Sequence, residues 1–231
     1  MSRAEFLATV APVAVKVRVD GGVLFPSVSI AQMLLETGGT LHSWNNLVGY
    51  KVGSGQHTPY WHGKRVNRKT WEVDEGGRRD NVAADFRAYD SIEDNLKDQA
   101  LLFLNNRRRY QRVIDARTPE EQAAMLLASG YATDPQYGEK IIAIIRSHGL
   151  TQYDREADQM LERIADLERN HKQLQQRLEQ MERQHKMAVP DWAKDAVEAA
   201  VQAGYIDTPE GGSLDFYRLV VVMYRAGMFS K

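Results

Sequence analysis

Apolar residues recur along this chain at three spacings, and each spacing predicts a different element. Between residues 1 and 149 most of the pattern is helical. Residues 6–17 and 29–36 carry apolar side chains at three- and four-residue intervals. Ser27 or Ser29, just after Pro26, is placed to cap the second helix, and Gly38-Gly39 to end it. Residues 64–73 alternate loosely. Asp74-Glu75-Gly76-Gly77 then reads as a turn and residues 82–89 as a return strand, which predicts a small β-hairpin. Helical spacing resumes over residues 91–110, with Ser91 as cap, Asp94 at the third position and Leu96, Ala100, Phe103 and Leu104 facing inward. Thr118-Pro119 opens another helix, and Asp134-Pro135 a last one that runs to about His148 and stops at Gly149.

From residue 150 to 187 the period tightens to a heptad. Ala157, Ile164, His171, Leu178 and His185 fall at one core position, and Tyr153, Met160, Leu167, Leu174 and Met181 at the other. The spacing never slips, and the remaining faces are polar, which predicts a coiled coil. In a parallel, in-register pair Arg163 faces Glu168 of the second chain and Arg177 faces Glu182, both attractive. Self-association through residues 153–185 is therefore expected, weakened by the two core histidines. A single helix folding back on the first region is the alternative. Residues 188–231 read as a helix–loop–helix. Pro190 starts its first helix, Gly204 ends it and Ser213 caps the second. So short a segment buries too little surface to stand alone.

The architecture expected is α+β: a mostly helical domain with an inserted hairpin over residues 1–149, a coiled coil over 150–187 and a small helical tail over 188–231. Composition narrows the chemistry. The 231 residues contain no cysteine, which excludes disulfides, thiolate catalysis and cysteine-ligated zinc. Net charge is -1; residues 1–149 carry 19 Lys/Arg against 17 Asp/Glu and the rest 11 against 14, so no basic field points to nucleic acid. No stretch reaches the roughly 20 apolar residues that span a bilayer. The apolar run at residues 6–15 lacks a basic segment before it and is interrupted by Pro12, which makes it a poor export signal.

Glu36 is the sharpest single residue. It ends the apolar run Ile30-Ala31-Gln32-Met33-Leu34-Leu35 and precedes Thr37-Gly38-Gly39. Apolar surroundings hold a carboxyl protonated toward neutral pH, as a general acid requires. A glutamate at a helix end is more often simply solvated. His57 and His62 flank Tyr60-Trp61 without the spacing of a metal pair. The aromatics there either stack on a ligand or fill the hairpin base. Arg107-Arg108-Arg109 fits anionic polymers or a solvated helix face.

Several segments then occur in a telling order. Phe25-Pro26-Ser27-Val28-Ser29-Ile30-Ala31-Gln32-Met33-Leu34-Leu35-Glu36-Thr37-Gly38 is followed by Asn45-Asn46-Leu47-Val48-Gly49-Tyr50-Lys51, then Thr70-Trp71-Glu72. After these come Phe86-Arg87-Ala88-Tyr89-Asp90-Ser91 and Gly130-Tyr131-Ala132-Thr133-Asp134-Pro135-Gln136-Tyr137. Together they resemble the flagellar-type β-N-acetylglucosaminidases, a peptidoglycan-hydrolase family that includes autolysins and phage lysins. The resemblance spans about residues 3–148. It departs at Gly39-Thr40, where the family often has Trp-Gly or Lys-Ser, and at Val48, where it has Phe.

The resemblance implies a lysozyme-like, two-lobed domain that cuts peptidoglycan glycan strands as an endo-β-N-acetylglucosaminidase. Glu36 becomes the proton donor, Glu72 on the hairpin the base or charge stabiliser, and Tyr131 the tyrosine beside the cleaved sugar. Asn46, Tyr137 and Trp61 become groove residues. Asp74 and Glu75 are rivals to Glu72, and the substrate's own acetamido group is a third route. The two-carboxyl chemistry of glycoside cleavage needs no metal or other cofactor. Residues 189–206 resemble one S-layer-homology motif, a secondary-wall-polymer binder normally present in three copies, which trimerisation would supply. A phage endolysin made in the host cytoplasm and released to the wall through a holin is the expected setting. A non-catalytic adhesive protein and a virion-attached hydrolase are the alternatives.

Overall fold

The structure, a computed structural model, describes residues 1–73 and 79–229, with the side chains of residues 1–69, 83–183 and 186–229. The predicted turn Asp74-Glu75-Gly76-Gly77 lies outside the described residues. The chain divides into two compact units, Met1–Glu162 and Arg163–Lys231.

In the first unit helices surround one buried helix. α1 (Arg3–Val19) starts earlier than its apolar pattern because Ser2 and Glu5 form a capping box. It continues through the exposed Pro12, since buried Val10, Ala11, Ala14 and Val15 fix it on both sides. α2 (Pro26–Thr37) is the central helix; all its residues from Pro26 to Leu34 are buried.

The expected caps of α2 are a correction. Neither Ser27 nor Ser29 caps it: Phe25 is the N-cap residue and makes no side-chain bond, with Pro26 at the first position. Asp154 and Gln122, distant in sequence, satisfy the open end instead. The Phe25 N–H donates to Gln122 Oε1 (2.7 Å), and the Ser27 N–H to Asp154 Oδ1 (2.8 Å). A buried helix end has no water to bond, so distant side chains replace it.

The hairpin is present. β1 (Arg65–Val73) runs antiparallel to β2 (Arg79–Arg87) in a register from Arg65 opposite Arg87 to Val73 opposite Arg79. β2 begins before the expected residue 82 and ends before residue 89. Its base is fastened by one buried ion pair: Arg87 Nη1 donates to Asp98 Oδ2 at 2.7 Å, and the two side chains are 8% and 1% exposed. Tyr89 and Thr58 hydroxyls donate to the same carboxylate, each at 2.7 Å. The guanidinium lies 4.4 Å from the Tyr50 ring centre and 4.3 Å from that of Trp61.

The expected helix over residues 91–110 is two. α3 (Ile92–Asn105), capped by Ser91 as expected, ends at Asn106, and α4 (Arg107–Ile114) begins anew. The Asn106 amide donates to the Leu102 carbonyl (2.8 Å), competing with the helix ladder. Leu104, in the last turn of α3, faces outward, 40% exposed, against expectation. α5 (Pro119–Ala128) is capped by Thr118 as expected. α6 (Tyr137–Ser147) starts after the expected Asp134-Pro135, because Asp134 accepts the Gln136 N–H (2.9 Å) in a preceding turn. The first turns of α7 (Thr151–His185) belong to this unit: Ala157 is buried and Tyr153 packs on the core.

The second unit contains the rest of α7, a short 3-10 turn (Asp191–Ala193), α8 (Lys194–Gln202) and α9 (Leu214–Arg225). Pro190 precedes the 3-10 turn, so α8 starts later than expected, while Ser213 caps α9 as expected. Its small core is Ala193, Ala196, Val197, Ala200, Tyr217 and Val220. The Tyr217 hydroxyl donates toward the carbonyls of Met187 (3.1 Å) and Pro209 (2.9 Å), holding together a unit with little apolar area. Among the described residues no helix is long and apolar enough to cross a membrane.

Asp98→Ala would leave the Arg87 charge buried without its counter-ion. A loss of about 3–5 kcal/mol in unfolding free energy is expected, measured by urea titration. A loss under about 1 kcal/mol would show that the pair is not what fastens the hairpin.

Candidate active site

The site forms where the C-terminus of α2 meets the loop before the hairpin and the turn before α6. Gly38, at φ 62°, ends α2 in the left-handed conformation, which favours glycine because it carries no Cβ. That leaves Glu36 on the last turn. Gly49, from the loop, lies against it: a Cβ there would sit 3.6 Å from Glu36 Oε2.

Glu36 is more open than its apolar neighbours imply. Water reaches the side chain, while protein surrounds it on its other sides. That partial desolvation raises its pKa above the ordinary carboxylate value, and no cation among the described residues counters it.

Tyr131 and Tyr137 gather beside it. Burial raises both phenol pKa values, and the Glu36 charge acts on each in the same direction. Both stay protonated throughout the working range of an enzyme. Beneath them runs a chain of amides. Gln99 Nε2 donates to the Tyr131 hydroxyl (2.8 Å) and to Gln32 Oε1 (3.0 Å), and Gln32 Nε2 donates to the Tyr137 hydroxyl (2.9 Å). Each phenol thus accepts a bond from below and keeps its own O–H to donate. Gln32 and Gln99 are 1% and 2% exposed.

Neither glutamine stands out in the sequence as a site residue. The available signal is an amide inside the apolar run of α2 and a polar set on α3, Asn95, Asp98 and Gln99, at helical spacing. This face of α3 organises the site. Asn95 Oδ1 accepts the Leu47 N–H (2.8 Å), Asp98 holds the hairpin base, and Gln99 holds Tyr131.

Tyr131 is also fixed from its own turn. Arg109 Nε donates to the Ser129 carbonyl at 2.7 Å, and its guanidinium also bonds the Gly130 carbonyl. Gly130 has φ 65°, and a Cβ there would lie 2.9 Å from Arg109 Nη2. At least this member of the triple arginine positions backbone.

The structure brings Glu36, Tyr131 and Tyr137 together but gives Asn46 and Trp61 other surroundings. Asn46 is 4% exposed; its amide donates to the carbonyls of Tyr50 and Arg87 (both 2.8 Å), and its oxygen accepts the Tyr50 N–H (2.9 Å). Those bonds shape the loop from inside. Trp61 is 1% exposed, and its Nε1 donates to the Lys64 carbonyl (2.6 Å). A ring so covered fills the hairpin base, which corrects its expected groove role. His57 packs edge-on against it at 5.7 Å. Glu72 lies on β1 opposite Asp80 in the backbone register; its side chain is outside the described residues, as are Asp74 and Glu75.

A cleft of about 480 Å³ opens beside Tyr50, lined also by His57, Thr58, Arg87, Leu101 and Asn105. Tyr50 faces this cleft and stands close enough to Tyr131 to help raise its pKa. The arrangement offers one carboxyl inclined to hold its proton and two phenol donors, with the cleft beside Tyr50 as a separate opening.

Comparison with known proteins gives a consistent set of likenesses. Residues 11–150 match the profile of the glucosaminidase family, described as mannosyl-glycoprotein endo-beta-N-acetylglucosaminidase. The chain is 35% identical over 144 residues to the exo-glucosaminidase LytG of Bacillus subtilis, covering 57% of this chain and 46% of that protein. It is 37% identical over 158 residues to the peptidoglycan hydrolase FlgJ of Pseudomonas aeruginosa, covering 62% and 36%. A probable N-acetylmuramidase of Lactococcus lactis is 32% identical over 140 residues, covering 58% and 31%. The chain thus spans less than half the length of these curated relatives. Among solved structures, a peptidoglycan hydrolase mutant from Sphingomonas sp. A1 superposes with a TM-score of 0.55 at 32% identity, covering 66% of this chain and 97% of that one. The catalytic domain of the autolysin Auto from Listeria monocytogenes gives 0.54 at 29% identity, covering 65% and 86%.

The raised pKa of Glu36 has a stability consequence. The folded chain binds this proton more tightly than the unfolded chain, so the contribution favours folding at low pH and is lost as pH rises through the folded value. Glu36→Gln is therefore expected to melt higher than the parent at neutral pH, with the gain vanishing at pH values below the ordinary carboxyl range. Thermal melts across pH test this; equal melting at neutral pH would remove the desolvation argument.

Proposed function

The chain belongs to the glucosaminidase family, and from that membership and the surroundings of Glu36 we propose that it hydrolyses the glycan strand of bacterial peptidoglycan as an endo-β-N-acetylglucosaminidase. The carrying observation is the carboxyl of Glu36, reached by water on one side and partly desolvated on the others, with the phenols of Tyr131 and Tyr137 close enough to feel its charge. A glycosidic oxygen is a poor leaving group until protonated, and a carboxyl with a raised pKa keeps a proton to give. As the bond breaks, Glu36 transfers that proton to the departing oxygen and positive charge grows on the sugar ring. The Tyr131 hydroxyl, held by Gln99, donates a hydrogen bond at the cleaved sugar. Glu72, from the hairpin lobe, serves as the second carboxylate, as base or charge stabiliser; the substrate's acetamido group is the competing route. Tyr137 lines the same site, and the trough beside Tyr50 receives further sugars.

On this reading the protein is a wall-lysing enzyme of the endolysin or autolysin type. Relatives described as a peptidoglycan hydrolase, an exo-glucosaminidase and a probable N-acetylmuramidase support that class. They differ in the bond named, so the reducing-end sugar is the decisive product. The C-terminal unit we read as a module for wall polymer or self-assembly. Its exposed Trp192 (52%) and Tyr205 (66%) are the support for a sugar-stacking surface.

Clearing of purified cell walls, followed by mass spectrometry of released fragments, tests the reading. N-acetylglucosamine reducing ends are expected; N-acetylmuramic acid ends would reassign the bond. Glu36→Gln is expected to slow clearing by about 10²–10⁴-fold, and Tyr131→Phe by about 10–100-fold. Clearing by Glu36→Gln at the parent rate would leave only a glycan-binding role. The parent rate is expected to fall as pH rises through the raised Glu36 value, because the proton donor is then lost.

A further inference from the structure

The long helix α7 changes surroundings along its length. Near its start Ala157 is 1% exposed, and Tyr153 is packed on the first unit's core. From Met160 onward the same heptad positions lie open: Leu167, Leu174, Leu178 and Met181 are 60%, 61%, 58% and 55% exposed. A helix of 35 residues reaches about 52 Å. Leucines repeated along such a rod, on a stripe only two positions wide, match a two-stranded coiled-coil seam more than a globular core face.

The charges beside the stripe choose the partner. Arg163 and Arg177 flank it on one side, Glu168 and Glu182 on the other. In a parallel in-register pair each arginine meets a glutamate of the second chain five positions on. In an antiparallel pair the arginine edges meet each other, as do the glutamate edges. The residues between, Asn170 and Gln175, are neutral. Ile164 at the first core position with Leu167 at the second favours two strands over three. His171 at the seam's centre is a polar residue at a first core position, a device that fixes register at some loss of stability.

We infer that residues 160–181 bind a second copy of this chain as a parallel, in-register, two-stranded coiled coil. The α8–α9 segments, which come after the seam in the chain, then follow from the same end of the pair. A weak binder presented twice on one rod gains avidity toward a repetitive polymer. The inference does not depend on wall hydrolysis: assembly is read from mass and crosslinking, not from activity.

Light scattering on the full chain at tens of micromolar is expected to give the mass of two chains. Leu167→Glu with Leu174→Glu is expected to give one chain, with the circular dichroism of the first unit and wall clearing retained. The natural chain has no cysteine, so Ile164→Cys forms an intermolecular disulfide on mild oxidation only if the two copies run parallel and in register. Arg163→Glu with Arg177→Glu is expected to weaken association at low salt, and Glu168→Arg with Glu182→Arg added to the same chain to restore it. A single-chain mass for the parent protein would overturn the inference. So would a mass of three chains, or a pair in which the Ile164→Cys variant does not crosslink.

Discussion

The buried contact between Arg87 and Asp98 is what the hairpin lobe depends on. Arg87 ends β2, and Asp98 sits in the middle of α3. Their ion pair, with Tyr89 and Thr58 on the same carboxylate and two aromatic rings over the guanidinium, joins strand, loop and helix at one point. Taking two charges out of water is favourable only when their bonds are nearly complete, so the neighbours of the pair are tightly specified. Asn46 bonds the Arg87 carbonyl and the Tyr50 backbone, and Trp61 closes the base. The root of both strands is held at this one place.

The helical side of the site rests on a second polar system, of uncharged amides. Gln32 and Gln99 connect two tyrosine hydroxyls through three hydrogen bonds and leave the phenol O–H groups free to donate. An amide chain orients phenols without adding a net charge, so it brings no cation beside Glu36 to lower its pKa. Asp98 and Gln99 are consecutive on α3, so one turn of helix fixes the hairpin on one side and the tyrosines on the other. Rigid positioning of this kind is what a site needs in order to favour a transition state over a ground state.

On α7 one heptad pattern runs through two different surroundings. Asp154 caps the central helix α2, and burial raises its pKa even as it accepts the Ser27 N–H. Its neighbours Tyr153 and Ala157 complete the first unit's core. Farther along, the stripe carries larger aliphatic residues and ordered flanking charges. The switch from Ala157 to Leu167 and Leu174 follows the change from a buried, close-packed helix contact to positions that are 60% and 61% exposed.

The sequence by itself determined the element types, the hairpin, the caps Ser91, Thr118 and Ser213 and the heptad pattern, because these follow from local periodicity and from side chains bonding backbone three residues away. It also determined the candidacy of Glu36, Tyr131 and Tyr137 through ordered motifs. Only the tertiary structure decided the rest. The cap of α2 comes from Asp154 and Gln122, far along the chain, in place of Ser27 or Ser29. Trp61 fills the hairpin base because Arg87 and His57 cover its ring. The helix after Ser91 breaks at Asn106, where a side chain competes for the Leu102 carbonyl. Gln32 and Gln99 matter through partners that folding alone brings near. Periodicity records which face of an element is apolar; it does not record which distant polar group will meet it.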